Sequence, residues 1–150
     1  MTLPEDFHDF LQLLKKNEVQ FLVVGGWAVG LHGYPRATGD IDVWIATTEE
    51  NVGKLTASLQ AFGVSHGVPN SFFFERGNVF RIGRIPVKIE VLTSISGVEF
   101  ADCYSRRTSV TIDSLEIPFI SLEDLRTNKK ASGRPKDLAD LDALQYSDGE

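Results

Sequence analysis

The stretch Asp40–Ile45 constrains the fold more than any other part of the chain, because aliphatic residues stand at every second position along it. Successive side chains of a β-strand point to opposite faces. The apolar residues therefore share one face: Ile41, Val43 and Ile45. Asp40 and Asp42 share the other face with Trp44. The stretch predicts a strand that buries one face and presents two carboxylates on the other.

Helical and strand patterns alternate along the rest of the chain. Apolar residues at helical spacing predict a first helix over residues 4–17, and Thr47 with Glu50 has the form of a capping box for a helix that ends at Gly63. Short β-rich runs predict strands over residues 20–24 and 86–92, and a hairpin that turns at Asp113 and Ser114. Two more helices follow, one capped by Ser121 and one after Pro135 that carries three leucines: Leu138, Leu141 and Leu144.

These elements predict an α/β (α+β) fold, a small mixed twisted sheet flanked by helices. A length of 150 residues suits one compact domain over residues 1–150, with C-terminal helices from about residue 121 closing a cleft. Cys103 is the only cysteine, so neither a disulfide framework nor a cysteine-rich zinc site can be built within the chain. The net charge of -6 argues against a general binder of the nucleic-acid backbone. No apolar run is long enough for a membrane span, and we expect a cytoplasmic protein without a membrane partner.

The carboxylates of this strand form a candidate metal site. Asp40 and Asp42 lie two residues apart, which places their Cα atoms about 6.6 Å apart on one strand face. Glu90 lies on a separate predicted strand, where alternation also turns it away from the core. Hard divalent ions such as Mg2+ are held by one or two carboxylates together with water and substrate phosphates. If the strands are neighbours, three carboxylates can hold two ions at the roughly 3.5 to 4 Å spacing used for displacement at phosphorus. The alternative is that these carboxylates only face water.

Two adjacent glycines precede the acidic strand. Gly25 and Gly26 end a predicted strand and open a short helix, where free backbone N–H groups favour a phosphate. Without Cβ atoms they let phosphate oxygens approach closely. A P-loop is excluded because the segment lacks the Gly-Lys-Ser/Thr ending. The glycine pair alone is weak evidence, but its combination with the strand aspartates is specific.

Gly25-Gly26, thirteen intervening residues, Asp40-Ile41-Asp42 and a later Ile89-Glu90-Val91 strand resemble the nucleotidyltransferase superfamily typified by DNA polymerase beta. Further stretches, around residues 120–125 and 129–138, resemble small bacterial members, including nucleotidyltransferases of toxin-antitoxin and abortive-infection systems. The resemblance covers nearly the whole chain and implies the nucleotidyltransferase fold. It also implies transfer of a nucleoside monophosphate from an NTP to an acceptor hydroxyl, with release of pyrophosphate.

The resemblance implies roles for individual residues. Asp40 and Asp42 would ligate two Mg2+ ions, with Mn2+ as the alternative metal. Glu90 would ligate the catalytic ion and help deprotonate the acceptor, although this position is often Asp in the family. Arg36 and Thr38, just before the aspartates, match the family pattern and are expected to hold the loop or a phosphate.

A basic segment near the C-terminus supplies cations for a triphosphate. Five of the 15 basic residues fall in eleven residues without an acid: Arg126, Lys129, Lys130, Arg134 and Lys136. Lys129 and Arg134 resemble the basic motif with which small family members bind the triphosphate, and Lys136 is a second candidate. The alternative is a solvated basic face at a helix end. Asp137 is expected to cap or pair with a neighbour.

The predicted function is metal-dependent nucleotidyl transfer to an RNA, a protein or a small molecule, within a toxin-antitoxin type of system. The expected partners are an NTP, an acceptor such as tRNA or a partner protein, and either a second copy of the chain or a cognate toxin or antitoxin. The alternative is a catalytically silent nucleotide- or partner-binding module on the same fold, which the longer Glu90 side chain favours.

Overall fold

The computed structural model describes residues 2–33, 39–64, 67–84 and 87–148. Within these residues the helices are α1 (Glu5–Lys16), α2 (Gly25–Leu31), α3 (Glu49–Phe62), α4 (Phe100–Ser105), α5 (Leu122–Ser132) and α6 (Pro135–Asp148). The strands are β1 (Phe21–Val24), β2 (Asp40–Ile45), β3 (Val79–Arg84), β4 (Val87–Leu92), β5 (Thr108–Ile112) and β6 (Leu115–Phe119), and a 3-10 helix spans Asn70–Phe74.

The strands form one six-stranded sheet in the order β3-β4-β2-β1-β6-β5. The β2/β4 and β1/β6 pairs are parallel, whereas β1/β2, β3/β4 and β5/β6 are antiparallel. The sheet is therefore mixed, and helices flank it, which confirms the predicted fold class. The register of β2 against β4 matters most for function because both strands carry acidic residues.

The core lies between the apolar sheet face and the helices. Helix α1 buries four apolar side chains at helical spacing: Phe7, Phe10, Leu11 and Leu14. Helix α1 packs against α3, where the Phe10 and Phe62 rings meet edge to face at 5.2 Å. Ile41, Val43 and Ile45 are buried as the alternation of β2 predicts. Trp44, on the other face, is also buried and packs against Phe100 at 5.1 Å, so it is a packing residue.

Local signals placed several boundaries correctly. The turn residues Asp113 and Ser114 both have positive φ angles, 51° and 68°, which suits a two-residue hairpin connection between β5 and β6. Ser121 caps α5 by accepting a hydrogen bond from the Asp124 backbone N–H at 3.2 Å. These contacts lie within a few residues of each other, which explains why sequence predicts them.

The cap of α3 lies one residue later than predicted. Thr48, not Thr47, accepts a hydrogen bond from the Asn51 backbone N–H at 3.2 Å. The Asn51 side chain is buried and donates to the carbonyls of Gln20 and Ala46, at 3.0 and 2.8 Å. The bond to Gln20 spans 31 positions of the chain, and the two bonds together hold Asn51 at the third position of the helix and therefore set where the helix begins.

Helix α6 does not bury all three of the leucines that the sequence places on it. Leu144 is buried, but Leu138 is 47% exposed, and the buried residues in the first half of the helix are Asp137 and Asp140. The sequence did not predict α4 or the 3-10 helix at Asn70–Phe74 either. No helix within the described residues is sufficiently long and apolar to traverse a lipid bilayer.

Candidate active site

The parallel pairing of β2 and β4 brings the predicted carboxylates together. Asp42 is the register partner of Glu90, and Asp40 is the partner of Lys88. Partners on adjacent strands point to the same face, so Asp40, Asp42 and Glu90 all lie on the sheet face opposite the α1/α3 core. Two neighbouring strands thus form an acidic face, defined here by these three residues.

Gly25 lies directly against this acidic face. Its φ angle is +67°, which side chains rarely tolerate, and a Cβ atom there would overlap the Asp42 carboxylate. The neighbouring residue Val24 pairs with Asp42 across the antiparallel β1/β2 ladder, which explains the close approach. Gly25 therefore leaves the space that the Asp42 carboxylate occupies at the start of α2.

Burial and like charges perturb Asp42. Burial, followed by the nearby negative charges of Glu90 and Asp40, raises the pKa of Asp42 from 3.8 to about 6. The positive charges of Lys129 and Lys136 act in the opposite direction. Like charges held this closely are the arrangement that a bound cation would stabilise.

Glu90 has a cationic neighbour on the adjacent strand β3. Arg81 is the register partner of Glu90 on β3, and its Nε lies 3.5 Å from Glu90 Oε1. The Arg81 side chain is largely exposed, whereas Glu90 is mostly buried. Arg81 thus balances part of the charge at the outer end of the acidic face.

Two carboxylates of the acidic face could hold a divalent cation whose remaining ligands are water and substrate phosphates. No group of three or more His, Cys, Asp or Glu side chains in the described ranges is arranged to hold a metal ion. Mg2+ needs only one or two carboxylates when phosphate oxygens and water complete its octahedral shell. The adjacent pair Asp42 and Glu90 meets that requirement.

A cleft of about 420 Å³ connects the acidic face to the C-terminal helices. The glycine turn and Asp42 form one wall, the segment after β4 forms another, and the α5–α6 hairpin forms the third. The lining residues are Val24, Gly25, Gly26, Asp42, Leu92, Ser94, Ile95, Ser96, Asn128, Lys129, Ser132, Arg134, Lys136 and Asp137. The volume lies within the range of small-ligand sites.

The α5–α6 wall holds a buried charge cluster. Lys129 is 6% exposed, and its Nζ donates to Asp137 Oδ1 at 3.1 Å and lies 3.3 Å from Asp140 Oδ2. Asp137 also accepts hydrogen bonds from Ser132 Oγ and Arg134 Nε, both at 2.6 Å. Burial alone would raise the pKa of Asp137, but hydrogen bonds from Arg134, Ser132 and Lys129 hold this pKa well below its usual range.

The structure brings most, but not all, of the predicted residues to one place. Asp42, Gly25, Gly26, Lys129, Arg134 and Lys136 line the cleft. Asp40 and Glu90 lie on the acidic face beside it. The predicted residues Arg36 and Thr38 lie outside the described residues. The pairing of Asp137 with its neighbours, predicted from the sequence, appears in the structure.

Sequence reasoning missed Ser94, Ser96, Asn128 and Ser132 as lining residues. Two of the walls meet here, because Asn128 Nδ2 donates to the Ser96 carbonyl at 3.0 Å and so joins α5 to the segment after β4. A Cβ atom at Gly97, where φ is +81°, would crowd Ala131 Cβ at 2.5 Å. Small polar residues carry no distinctive sequence pattern. Only the glycine at position 97 could have indicated that α5 and the segment after β4 lie in contact.

One protein-family model and several solved structures match the chain. The sequence model of the family described as "Nucleotidyltransferase of unknown function (DUF6036)" matches residues 2–148. No curated protein sequence matches the chain. The chain is 16% identical to the lincosamide antibiotic adenylyltransferase LnuA, whose structure is lincomycin-bound, with a TM-score of 0.61 and coverage of 96% of this chain and 97% of that chain.

Two other solved structures share the fold. TM1012 from Thermotoga maritima, a candidate nucleotidyltransferase, is 19% identical, with a TM-score of 0.62 over 97% of this chain and 94% of that one. The antibiotic-resistance factor ANT(2'')-Ia is 15% identical, with a TM-score of 0.58 over 95% of this chain and 82% of that one. At these identities the likeness shows a common fold. Together with the family match, it confirms the resemblance inferred from the glycine pair and the acidic strands.

Proposed function

Because the chain belongs to the nucleotidyltransferase family DUF6036, we propose that it transfers a nucleoside monophosphate from an NTP to an acceptor hydroxyl in the cleft described above. One observation carries the assignment. The strand register pairs Asp42 with Glu90 on adjacent parallel strands, and the Asp42 carboxylate lies directly against the backbone of Gly25. Carboxylates next to a phosphate-accessible turn are what phosphoryl transfer requires.

The triphosphate is proposed to bind between the glycine turn and the α5–α6 hairpin. Gly25 and Gly26 would offer backbone N–H groups, and Arg134 and Lys136 would offer cations from the opposite wall. An arginine can donate two parallel hydrogen bonds to a phosphate, whereas a lysine acts as a point charge. The α-phosphate would then lie closest to the acidic face.

Asp40, Asp42 and Glu90 would hold Mg2+, with Mn2+ as the alternative and two ions as the full complement. The fit rests on Asp42, whose burial beside two other carboxylates raises its pKa to about 6 and would be offset by a cation. The metal would supply charge neutralisation and alignment of the triphosphate.

The proposed reaction forms one bond and breaks one. The acceptor oxygen attacks the α-phosphorus, the bond from that phosphorus to the oxygen bridging to the β-phosphate breaks, and pyrophosphate leaves with that oxygen. The acceptor proton passes to the Glu90 carboxylate. Arg81, 3.5 Å from Glu90, would orient this carboxylate toward the acceptor.

The test is transfer of label from each α-32P-labelled NTP in the presence of Mg2+. The acceptor pools are total RNA, tRNA, cell protein and hydroxylated small molecules, including lincomycin, because LnuA is described as a lincosamide antibiotic adenylyltransferase bound to it. We expect one pool to be labelled by the wild type and not by Asp42→Asn.

The matched control is Asp9→Asn, which removes an exposed carboxylate on α1, away from the cleft. This variant should label the same pool at the wild-type rate. Absence of labelled product with all four NTPs and all pools, together with absence of NTP binding, would contradict the proposal.

A second function is favoured by the contact between Arg81 and Glu90, which engages the third carboxylate with a protein cation. In this case the chain is a catalytically silent binding module, such as an antitoxin or regulator. The double variant Asp40→Asn/Asp42→Asn separates the two functions. The measurement is the effect that expression of the chain has on its host cell. Loss of this effect in the double variant supports catalysis, and its retention supports the binding module.

The acceptor and the biological setting belong to the proposal as well. A toxin-antitoxin type of system predicts that expression of the chain adds nucleotides to tRNA or modifies a cognate protein. We further propose that residues 1–150 form one domain whose α5–α6 hairpin closes the cleft. Acceptor recognition would then come from loops, from a second copy or from a partner chain. Co-purification with the cognate gene product and sizing in solution test these points.

A further inference from the structure

Asp137 is the centre of the buried charge cluster in the α5–α6 wall. It lies in the first turn of α6 and is 1% exposed. Three side chains from the end of α5 and the linker converge on its carboxylate: Lys129 at 3.1 Å, Ser132 at 2.6 Å and Arg134 at 2.6 Å. Arg134 makes a second, longer contact through Nη2 to Asp137 Oδ1 at 3.3 Å. A buried carboxylate with this many donors holds each of them in one orientation.

The two basic residues of the predicted motif are not equivalent. Lys129 is buried, and its ammonium group lies between Asp137 and Asp140. Its positive charge is therefore balanced inside the protein. The Arg134 side chain is 73% exposed and reaches Asp137 with only one side of its guanidinium group. Of the five guanidinium N–H donors, those on Nη1 and one on Nη2 remain for a ligand in the cleft.

An exposed arginine samples many rotamers, and fixing it on binding costs conformational entropy. The two hydrogen bonds from the Arg134 guanidinium group to the buried Asp137 carboxylate remove most of this rotamer freedom before the ligand binds. Arg134 is thus prepared for a phosphate in a way that the exposed Lys136 is not.

We propose that Asp137 is a positioning residue that orients Arg134 toward the NTP triphosphate, and that Lys129 is the internal counter-ion of Asp137 and Asp140 rather than a triphosphate ligand. The proposal rests on the proposed function, because it names the residue that contacts the β- and γ-phosphates. It assigns Asp137 no contact with substrate.

The chain offers a matched pair of variants for the test. Asp137→Asn and Asp140→Asn both remove a buried carboxylate from α6, three positions apart, and both carboxylates neighbour Lys129. Of the two, Asp137 also bonds Ser132 and Arg134. Titration calorimetry with Mg2+ and each of ATP, GTP, CTP and UTP identifies the tightest NTP for the wild type. Competition with the matching NMP then gives the monophosphate affinity.

We expect Asp137→Asn to weaken NTP binding at least tenfold and NMP binding less than threefold. Asp140→Asn should weaken both less than threefold. A purely structural role would lower both affinities together, so the ratio of NTP to NMP affinity is the diagnostic measurement. An unchanged ratio in Asp137→Asn, or an equal change in Asp140→Asn, overturns the proposal.

Arg134→Lys provides a second test, in which both buried carboxylates stay in the chain together with their shared partner Lys129. The lysine side chain keeps the positive charge but cannot donate two hydrogen bonds to Asp137 from one planar group. We expect a loss of NTP affinity of at least fivefold, and wild-type affinity in this variant overturns the proposal even if Asp137→Asn fails to fold. If the wild type binds none of the four NTPs, the proposed function fails as a whole. If the wild type binds an NTP and the variants keep the ratio, the positioning role alone fails.

Discussion

Two of the three walls of the cleft, the acidic face with the glycine turn and the α5–α6 hairpin, carry their charges in opposite arrangements. On the acidic face, the buried Asp42 lies beside carboxylates of the same sign, and its pKa is raised to about 6. In the α5–α6 hairpin, buried charges of both signs are paired, and the pKa of Asp137 is held well below its usual range. One wall is short of positive charge, and the other is internally balanced.

This difference separates the ligand-binding surface from its scaffold. Like charges held together destabilise the unliganded fold and favour a bound cation. A paired cluster needs no ligand and keeps its geometry without one, so it can present Arg134 in a defined orientation. Each of the following predictions tests whether the two walls differ in this way.

The largest effect is expected from Lys129→Met. The substitution leaves the buried carboxylates Asp137 and Asp140 without their shared cation. Removing one partner of a buried charge cluster destabilises a protein by about 3 kcal/mol or more. Urea denaturation at pH 7 measures the free energy of unfolding. The control is Lys130→Met on the exposed face of the same helix, which should change it by less than about 0.5 kcal/mol. Equal effects of the two variants would contradict the description of a buried cluster.

Gly25→Ala is expected to destabilise the other wall by about 1 to 2 kcal/mol, because it combines a positive φ angle with overlap on the Asp42 carboxylate. It should also displace that carboxylate and reduce transfer strongly. The control is Gly53→Ala within α3, where a Cβ atom meets nothing within 4 Å. This control should raise the free energy of unfolding by about 0.5 to 1 kcal/mol. A neutral Gly25→Ala would show that Asp42 is not held against the turn.

The low pKa of Asp137 predicts a loss of stability in acid. Because the folded-state pKa lies below the unfolded value of 3.8, the stabilisation is fully present above that value and is lost as the pH falls below about 4. Unfolding free energies between pH 5 and pH 2 should show a shallower decline for Asp137→Asn than for the wild type. Parallel curves would contradict the pairing.

Asp42 predicts the opposite sign. Its folded-state pKa of about 6 lies above the unfolded value of 3.8, so its contribution to stability falls as the pH rises from about 4 to 6 and stays low above that. Asp42→Asn should therefore raise the free energy of unfolding at pH 8 by about 1 kcal/mol while it abolishes transfer. Thermal unfolding at pH 8 measures the change. A lower melting temperature for Asp42→Asn would contradict this prediction. It would show that positive charges compensate the wild-type Asp42 carboxylate, as they compensate the Asp137 carboxylate.

Much of the fold was predictable because its signals are local. The alternation in β2, the turn at Asp113 and Ser114 and the cap at Ser121 each depend on residues within a few positions. The start of α3 was predicted one residue early, since Asn51 is held in part by the carbonyl of Gln20, 31 positions away in the chain. The exposed Leu138 and buried Asp137 contradict the hydrophobic pattern of α6, because ion pairing stabilises the buried carboxylate.

The sequence by itself determined which residue types are present for the chemistry: two carboxylates on one strand face, a third on another strand, a glycine pair and a basic segment. Spacing along a strand places side chains on a face regardless of what packs around it. Only the tertiary structure decided which charges oppose one another. Register pairs Asp42 with Glu90 and Glu90 with Arg81, and the α5–α6 turn brings Asp137 onto Lys129 and Arg134. Charge pairing depends on distances between elements, and these are set by packing rather than by local pattern.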